Sequence, residues 1–200
     1  MNVMKRTPED IIRAHGGQLR MSEALALGIS RYQLYKLRDE GILDPLARGI
    51  YRLVELSAVS DPDLVAVSLR FPHAVICLIS ALAYHHLTTQ IPHEITLAIT
   101  HHARLPVLAS PPVHAYRFSP VAFAAGIETF EVDGVPVRIY DPEKTLADCF
   151  KFRNRLGMDV IQEALRLYKS RMSIKPDTLL RYARICRVER VMTPYLEALL

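Results

Sequence analysis

Cysteine is scarce in this sequence, and the scarcity excludes whole classes of protein. Cys77, Cys149 and Cys186 are the only three. They are far apart, odd in number and include no Cys-x-x-Cys pair, so a disulfide scaffold, a zinc knuckle and a dithiol redox centre are all excluded. Reduced core residues are expected instead. Long apolar runs are also missing. The longest, Val75 to Tyr84, is about half of what a bilayer crossing needs and is flanked by histidines, so it reads as a buried helix and no membrane partner is expected. The start, MNVMKRTPED, has no apolar stretch that would serve as a secretory signal, which points to a cytoplasmic protein. Internal repeats and low-complexity tracts are absent.

Catalytic signatures are lacking as well. There is no HExxH, GxSxG, GxGxxG or P-loop, and the neighbouring pairs His85-His86 and His101-His102 send their side chains apart on a helix or strand. No metal site, no cofactor and no enzyme activity are expected. Asp141, Glu143, Lys144 and Asp148 contain the side chains of a metal-dependent nuclease. However, Asp141-Pro142-Glu143 also has the form of a helix start, with a capping carboxylate, a proline at the first position and an acid at the positive end. A cap is expected there, and nuclease use is the outlying reading.

What is present is a half-hydrophobic chain of 200 residues, long enough for one large or two small domains, with a net charge of +4. The charge is uneven. Residues 1 to 56 hold nine Lys/Arg against seven Asp/Glu, residues 57 to 140 four against six, and residues 141 to 200 twelve against eight. Both ends are basic and the middle is acidic, a distribution that suggests an anionic partner more than the total does. Glu55 to Pro62 is a candidate boundary, giving domains at 1–56 and 57–200.

The N-terminal domain reads as three helices and a hairpin. Thr7 caps a first helix, Pro8 starts it, Gly16-Gly17 ends it, and Ile11, Ile12 and Ala14 face inward. Gln18 to Arg20 is a short strand. Ser22 caps a second helix ending at Gly28, and Ser30 caps a third from Arg31 to Glu40, stopped by Gly41. Two strands, Ile42 to Leu46 and Ile50 to Val54, flank the turn Ala47-Arg48-Gly49. Ala24, the turn glycine Gly28, Ile29, Leu34 and Leu37 hold the helices together, and rotation by about 100° per residue sends Tyr32, Tyr35, Lys36 and Asp39 outward. This is the outline of a winged helix-turn-helix, which proposes double-stranded DNA as partner. The N-terminal part of such a helix reaches bases first, so Arg31, Tyr32, Gln33, Tyr35 and Lys36 are candidate contacts, with Ser30 near a phosphate. On the hairpin, Arg48 and Arg52, beside Tyr51, are candidates for backbone or minor-groove contact. The plainer reading is a solvated helix face with solubilising arginines.

From Asp61 the pattern becomes α+β: helices at 61–70 and 73–87, strands at 94–100, 113–118, 127–132 and 135–140, and helices at 142–155, 159–170, 176–186 and 193–200. The last two strands are joined by Asp133-Gly134 as a two-residue hairpin. A small antiparallel sheet with several C-terminal helices is the expected second domain. The segments GISRYQLYKLRDEGILDPLARGIYRL, AVICLISALAYHHLTTQIPHEITLAI and RIYDPEKTLADCFKFRNRLGMDVIQEALRLY resemble the AbiEi-like antitoxins, the regulator half of type IV toxin–antitoxin pairs. The resemblance implies a DNA-binding repressor of its own promoter that opposes a nucleotidyltransferase-like toxin, with or without direct contact. Nothing in composition or periodicity implies the antitoxin role. The alternative is a protein-interaction module or stand-alone regulator whose second domain docks a partner, as a monomer or a dimer.

The basic end carries a possible second patch. Lys151, Arg153 and Arg155 close one helix, and Arg181, Arg184, Arg187 and Arg190 recur every three residues, as one stripe opposite Leu179, Ala183 and Cys186. The plainer reading is a solvated face with cations near helix ends. The apolar tail 195–200 either closes the core or meets another subunit.

Overall fold

In the computed structural model the described residues are 6–56, 59–104, 107–108 and 110–199. The first five residues of the N-terminal stretch, Ser57-Ala58 of the candidate boundary and Leu200 of the apolar tail therefore lie outside them. The described chain is α+β and divides into two compact units: the first within Met1–Pro72, Ala109–Pro111 and Glu131–Val137, the second within His73–Leu108, Pro112–Phe130 and Arg138–Leu200. The first unit runs past the 56/57 division expected from the sequence and includes a further helix.

Three helices open the first unit: α1 (Pro8–Ala14), α2 (Met21–Ala26) and α3 (Arg31–Asp39). A reciprocal cap starts α1, with the Asp10 amide donating to Thr7 and the Thr7 amide to the Asp10 carboxylate. The start of α2 differs from expectation. Ser22 is already helical, and the cap comes from Glu23, whose carboxylate accepts the Arg20 amide at 2.8 Å and pairs with its guanidinium at 2.5 Å. Each of the three helices ends alike. The amide two residues beyond the cap returns to the last turn: Gly17 to Ile12, Ile29 to Ala24 and Ile42 to Leu37, each at 2.9 Å. At the middle stop Gly28 takes φ 86°, and a Cβ there would touch nothing, so the turn demands glycine for its backbone and not for space.

Strands β1 (Gln18–Arg20), β2 (Leu43–Ala47) and β3 (Ile50–Leu53) form an antiparallel sheet in the order β1-β3-β2, with Leu19 opposite Tyr51 and Leu43 opposite Leu53. One face closes on the helices through Ile12, Leu19, Ala24, Ile29, Leu34, Leu37, Leu43, Tyr51 and Leu53. Ala14, expected inside, is exposed. The two-residue period turns Ile50 and Arg52 to the other face, where helix α4 (Pro62–Arg70), capped by Asp61 on the Leu64 amide, packs on all three strands.

The second unit is built on strands β4 (Val75–Ile76), β5 (Ile95–Thr100), β6 (Val113–Phe118), β7 (Ile127–Val132) and β8 (Val135–Tyr140), in the order β6-β5-β4-β8-β7, except that the hairpin end 131–137 of the last two falls in the first. The sheet is mixed, which corrects the antiparallel expectation: β4 runs antiparallel to β5 but parallel to β8, and β5 runs parallel to β6. The single helix expected over 73–87 is instead β4 followed by α5 (Leu78–Tyr84), separated by Cys77, with Leu78 at φ 47° opening the helix. A short apolar run has no period long enough to distinguish a buried strand from a buried helix. Helices α6 (Pro120–Ala124), α7 (Pro142–Lys151), α8 (Arg153–Leu156), α9 (Met158–Arg171), α10 (Pro176–Cys186) and α11 (Glu189–Leu199) complete it. The core runs from Val75, Leu82 and Phe118 through Phe150, Ile161 and Tyr168 to Met192 and Leu196. In α11, which begins four residues before the predicted Thr193, Leu196 closes that core. Among the described residues no helix is long and apolar enough to cross a membrane.

Candidate nucleic-acid interface

Helix α3 has two faces. Leu34 and Leu37 are buried, while Arg31, Tyr32, Tyr35, Lys36, Arg38 and Asp39 are exposed, Tyr32 to 76%. A large aromatic ring left that open contributes nothing to the core and is available to a partner. The first turn carries no acid. Lys36 is loosely paired to Glu40 at 3.7 Å. Ser30 and Gln33 are differently placed. The Gln33 amide donates to Ser30 Oγ at 3.2 Å, and Gln33 Oε1 accepts the Ser30 amide at 2.8 Å and its hydroxyl at 2.9 Å. Their acceptor oxygens are thus used to start the helix, and the Gln33 amino group remains for other work.

Arg38 was not among the candidate contacts, yet it stands beside them on the exposed face of α3. Its Nε and Nη2 donate to Asp39 Oδ1 at 2.9 and 2.7 Å, and its guanidinium lies 5.0 Å from the Tyr35 ring centre. The hydrogen bond to Asp39 holds the guanidinium above its ordinary range. The Asp39 carboxylate is thus paired beside the aromatic face.

The hairpin divides the sequence's candidates. Arg48 stands exposed at the β2–β3 turn. Arg52 is only 9% exposed, donates to the Leu56 carbonyl at 3.4 Å, and acts on the Asp133 carboxylate. It is held inside the unit and is corrected from interface to structural residue. Tyr51 is likewise corrected, because it belongs to the core, where burial raises its hydroxyl's pKa. The cause is packing on both faces of the sheet: the helices α1 to α3 take the Tyr51 face and α4 packs on the other, whereas a hairpin read from sequence has one face free.

The basic residues of the C-terminal helices are not one stripe. Arg181 and Arg184 lie on α10, Arg187 is its left-handed cap at φ 60°, and Arg190 lies on α11. Arg184, Arg187 and Arg190 nevertheless line one concavity with Val188, Glu189 and Val191, and Arg184 pairs with Glu189 at 2.8 Å. Arg181 sits over Tyr182, Lys151 near Phe118 and Phe152, Arg153 bonds the Phe150 carbonyl at 3.0 Å, and Arg155 lies over Tyr116. Leu179, Ala183 and Cys186 are buried opposite, as expected.

Asp141 is the cap that its sequence context suggests, accepting the Lys144 amide at 2.7 Å. The sequence did not reveal how deeply α7 is buried. Tyr182 donates to Asp141 at 2.5 Å, Tyr168 to Glu143 at 2.8 Å, Lys144 pairs with Asp148 at 2.5 Å, and the Cys186 thiol donates to Asp148 at 3.1 Å. Burial pushes Asp141 and Asp148 above the usual carboxylate range and the Cys186 thiol up to about 12. These groups satisfy one another inside the core, joining α7 to α9 and α10. Among the described residues no three metal-ligating side chains gather at one point.

Residues 6–54 match the family model described as "Transcriptional regulator, AbiEi antitoxin". Over this stretch the match bears out the resemblance read from the sequence: it spans α1 to β3, the helices and hairpin just described. No curated protein matches the chain. Among solved structures, the RV2827C protein from Mycobacterium tuberculosis is similar, with a TM-score of 0.52 and 16% sequence identity, covering 91% of this chain and 75% of that one. At that identity the likeness is one of fold, and it extends over both units.

Proposed function

We propose that this protein is a winged helix-turn-helix transcriptional repressor that binds its own promoter, with α2 and α3 as the motif and the β2–β3 hairpin as wing. The observation that carries the reading is the exposed face of α3, with Arg31, Tyr32, Tyr35 and Lys36 on one buried-core scaffold and no acid in the first turn. A helix set this way enters a major groove by its N-terminal end, where arginine and lysine address guanine edges and tyrosine packs on thymine methyls. Arg48 at the wing tip meets a phosphate or the adjoining minor groove. The family match supports the next step, the antitoxin of a type IV pair acting in the cytoplasm against a nucleotidyltransferase-like toxin. The concavity of Arg184, Arg187 and Arg190 is a second contact for backbone phosphate. Replacing Arg31, Tyr32 and Lys36 together by alanine removes the mobility shift of a promoter fragment while the circular dichroism spectrum is unchanged. A shift that survives all three replacements refutes the assignment of α3.

A further inference from the structure

The second unit contains a groove that DNA binding does not use. It encloses about 440 Å³, the lower range of small-molecule sites. Its apolar walls are Ile79 from α5, Leu156 and Val160 from the α8–α9 corner, and Ile91, which is 82% exposed on the loop before β5. The walls are fixed in place. Glu163 of α9 accepts the Thr88 hydroxyl at 2.9 Å, the Thr89 amide at 3.2 Å and the Thr89 hydroxyl at 2.5 Å, fastening the loop to the helix that carries the opposite wall. At the corner Gly157 takes φ 91°, and a Cβ there would run into the Asp159 carboxylate, so glycine lets Asp159 keep its place on the rim.

Tyr116 of β6 forms the floor. It is 8% exposed, lines the groove and sets its ring edge-on against Phe152. A phenol whose ring is held this way presents a hydroxyl that can donate to or accept from an occupant. The rim is charged with both signs: Arg155 lies 5.8 Å from the Tyr116 ring centre, and Glu94 and Asp159 stand exposed, Glu94 loosely matched with His114 at 3.6 Å.

These groups restrict the occupant. An anion alone would face two carboxylates, a cation alone would face Arg155, and a neutral hydrocarbon would cover all three charges and the phenol without pairing any of them. A small zwitterion with an apolar body avoids each of these costs. We propose that this groove binds a free amino acid with an aliphatic or aromatic side chain. Its carboxylate pairs with Arg155, its ammonium with Glu94 or Asp159, its side chain lies against Ile79, Leu156 and Val160, and one polar atom bonds the Tyr116 hydroxyl.

The reading does not depend on DNA, so the test is calorimetric titration of the full chain, without nucleic acid, by leucine, isoleucine, valine, methionine and phenylalanine. Each is paired with its uncharged N-acetyl amide and with a dipeptide bearing the same first residue. At least one free amino acid binds with a Kd under about 1 mM, its acetyl amide does not, and Tyr116→Phe and Arg155→Ala each weaken binding about tenfold or more at unchanged melting temperature. Absence of heat up to about 10 mM ligand overturns the proposal, as does equal binding of the amides or undiminished affinity in both variants. Tighter binding of the dipeptides overturns it in favour of peptide ends.

Discussion

At the residue scale, two arginines four positions apart are placed oppositely. Arg48 is exposed on the wing turn, while Arg52 is packed on the covered face of the central strand. For a promoter duplex, Arg48→Ala lowers the slope of log K against log salt by about one, the loss of one phosphate contact. Arg52→Ala leaves that slope alone and lowers the melting temperature, because it opens a space beside Leu56. Equal salt slopes for the wild type and Arg48→Ala would remove the wing from the interface. His85 supplies a second test. Burial depresses its pKa below the ordinary 6.5, and its Nε2 bonds the Tyr140 carbonyl at 2.8 Å. With the folded value below the unfolded one, the unfolded chain binds more protons in that window. The stability contributed by neutral His85 is complete above 6.5 and is lost as pH falls toward the folded value. Urea midpoints at pH of about 7.5 and 5.5 therefore drop more for the wild type than for His85→Gln; parallel drops contradict this.

At the element scale, α3 depends on its cap. Ser30→Ala costs about 1 kcal/mol of stability, and Gln33→Ala lowers the melting temperature while the preferred operator stays the same, since the Gln33 oxygen is committed to Ser30. A changed operator preference in Gln33→Ala would return that side chain to the base-reading set. Local signals of this kind were legible in the sequence: the caps at Thr7, Ser30, Asp61 and Asp141, the glycine stops, and the Asp133-Gly134 hairpin, where both residues take positive φ. Each is settled within a few residues. The parallel partners of β4 and β5 were not legible, because parallel pairing joins distant segments and leaves no turn to mark it. Arg52 and Tyr51 were misplaced for a like reason: the cover of each face comes from elsewhere in the chain, α4 from beyond residue 56 on one side and the α1 to α3 core on the other. The buried α7 network escaped because Asp141-Pro142-Glu143 is fully explained as a helix start, and a cap does not reveal what lies above it. The Arg184, Arg187 and Arg190 concavity was anticipated as a helical stripe, and a chain reversal at Arg187 in fact assembles it.

At the scale of the whole molecule, each unit has its own hydrophobic core, one around Leu34 and Tyr51, the other around Phe150 and Tyr168. Leu34 is fully buried, so Leu34→Ala costs about 2–5 kcal/mol and removes DNA binding through loss of the first unit's fold. Surface changes on α3 remove binding with the fold intact, and a melting curve separates the two. The sequence-family match lies within the first unit, and the structural likeness covers both. Sequence readout by α3 is the proposal on which the others rest. Its most direct test is a fluorescence anisotropy titration of the wild type and the Arg31, Tyr32 and Lys36 triple-alanine variant, at physiological salt. Each protein is titrated with the gene's own promoter duplex and with a scrambled duplex of equal composition. The wild type is expected to prefer the promoter by about a thousandfold or more, and the triple variant to bind both duplexes equally weakly. A wild type that binds the two duplexes alike, or a variant that keeps the preference, contradicts it.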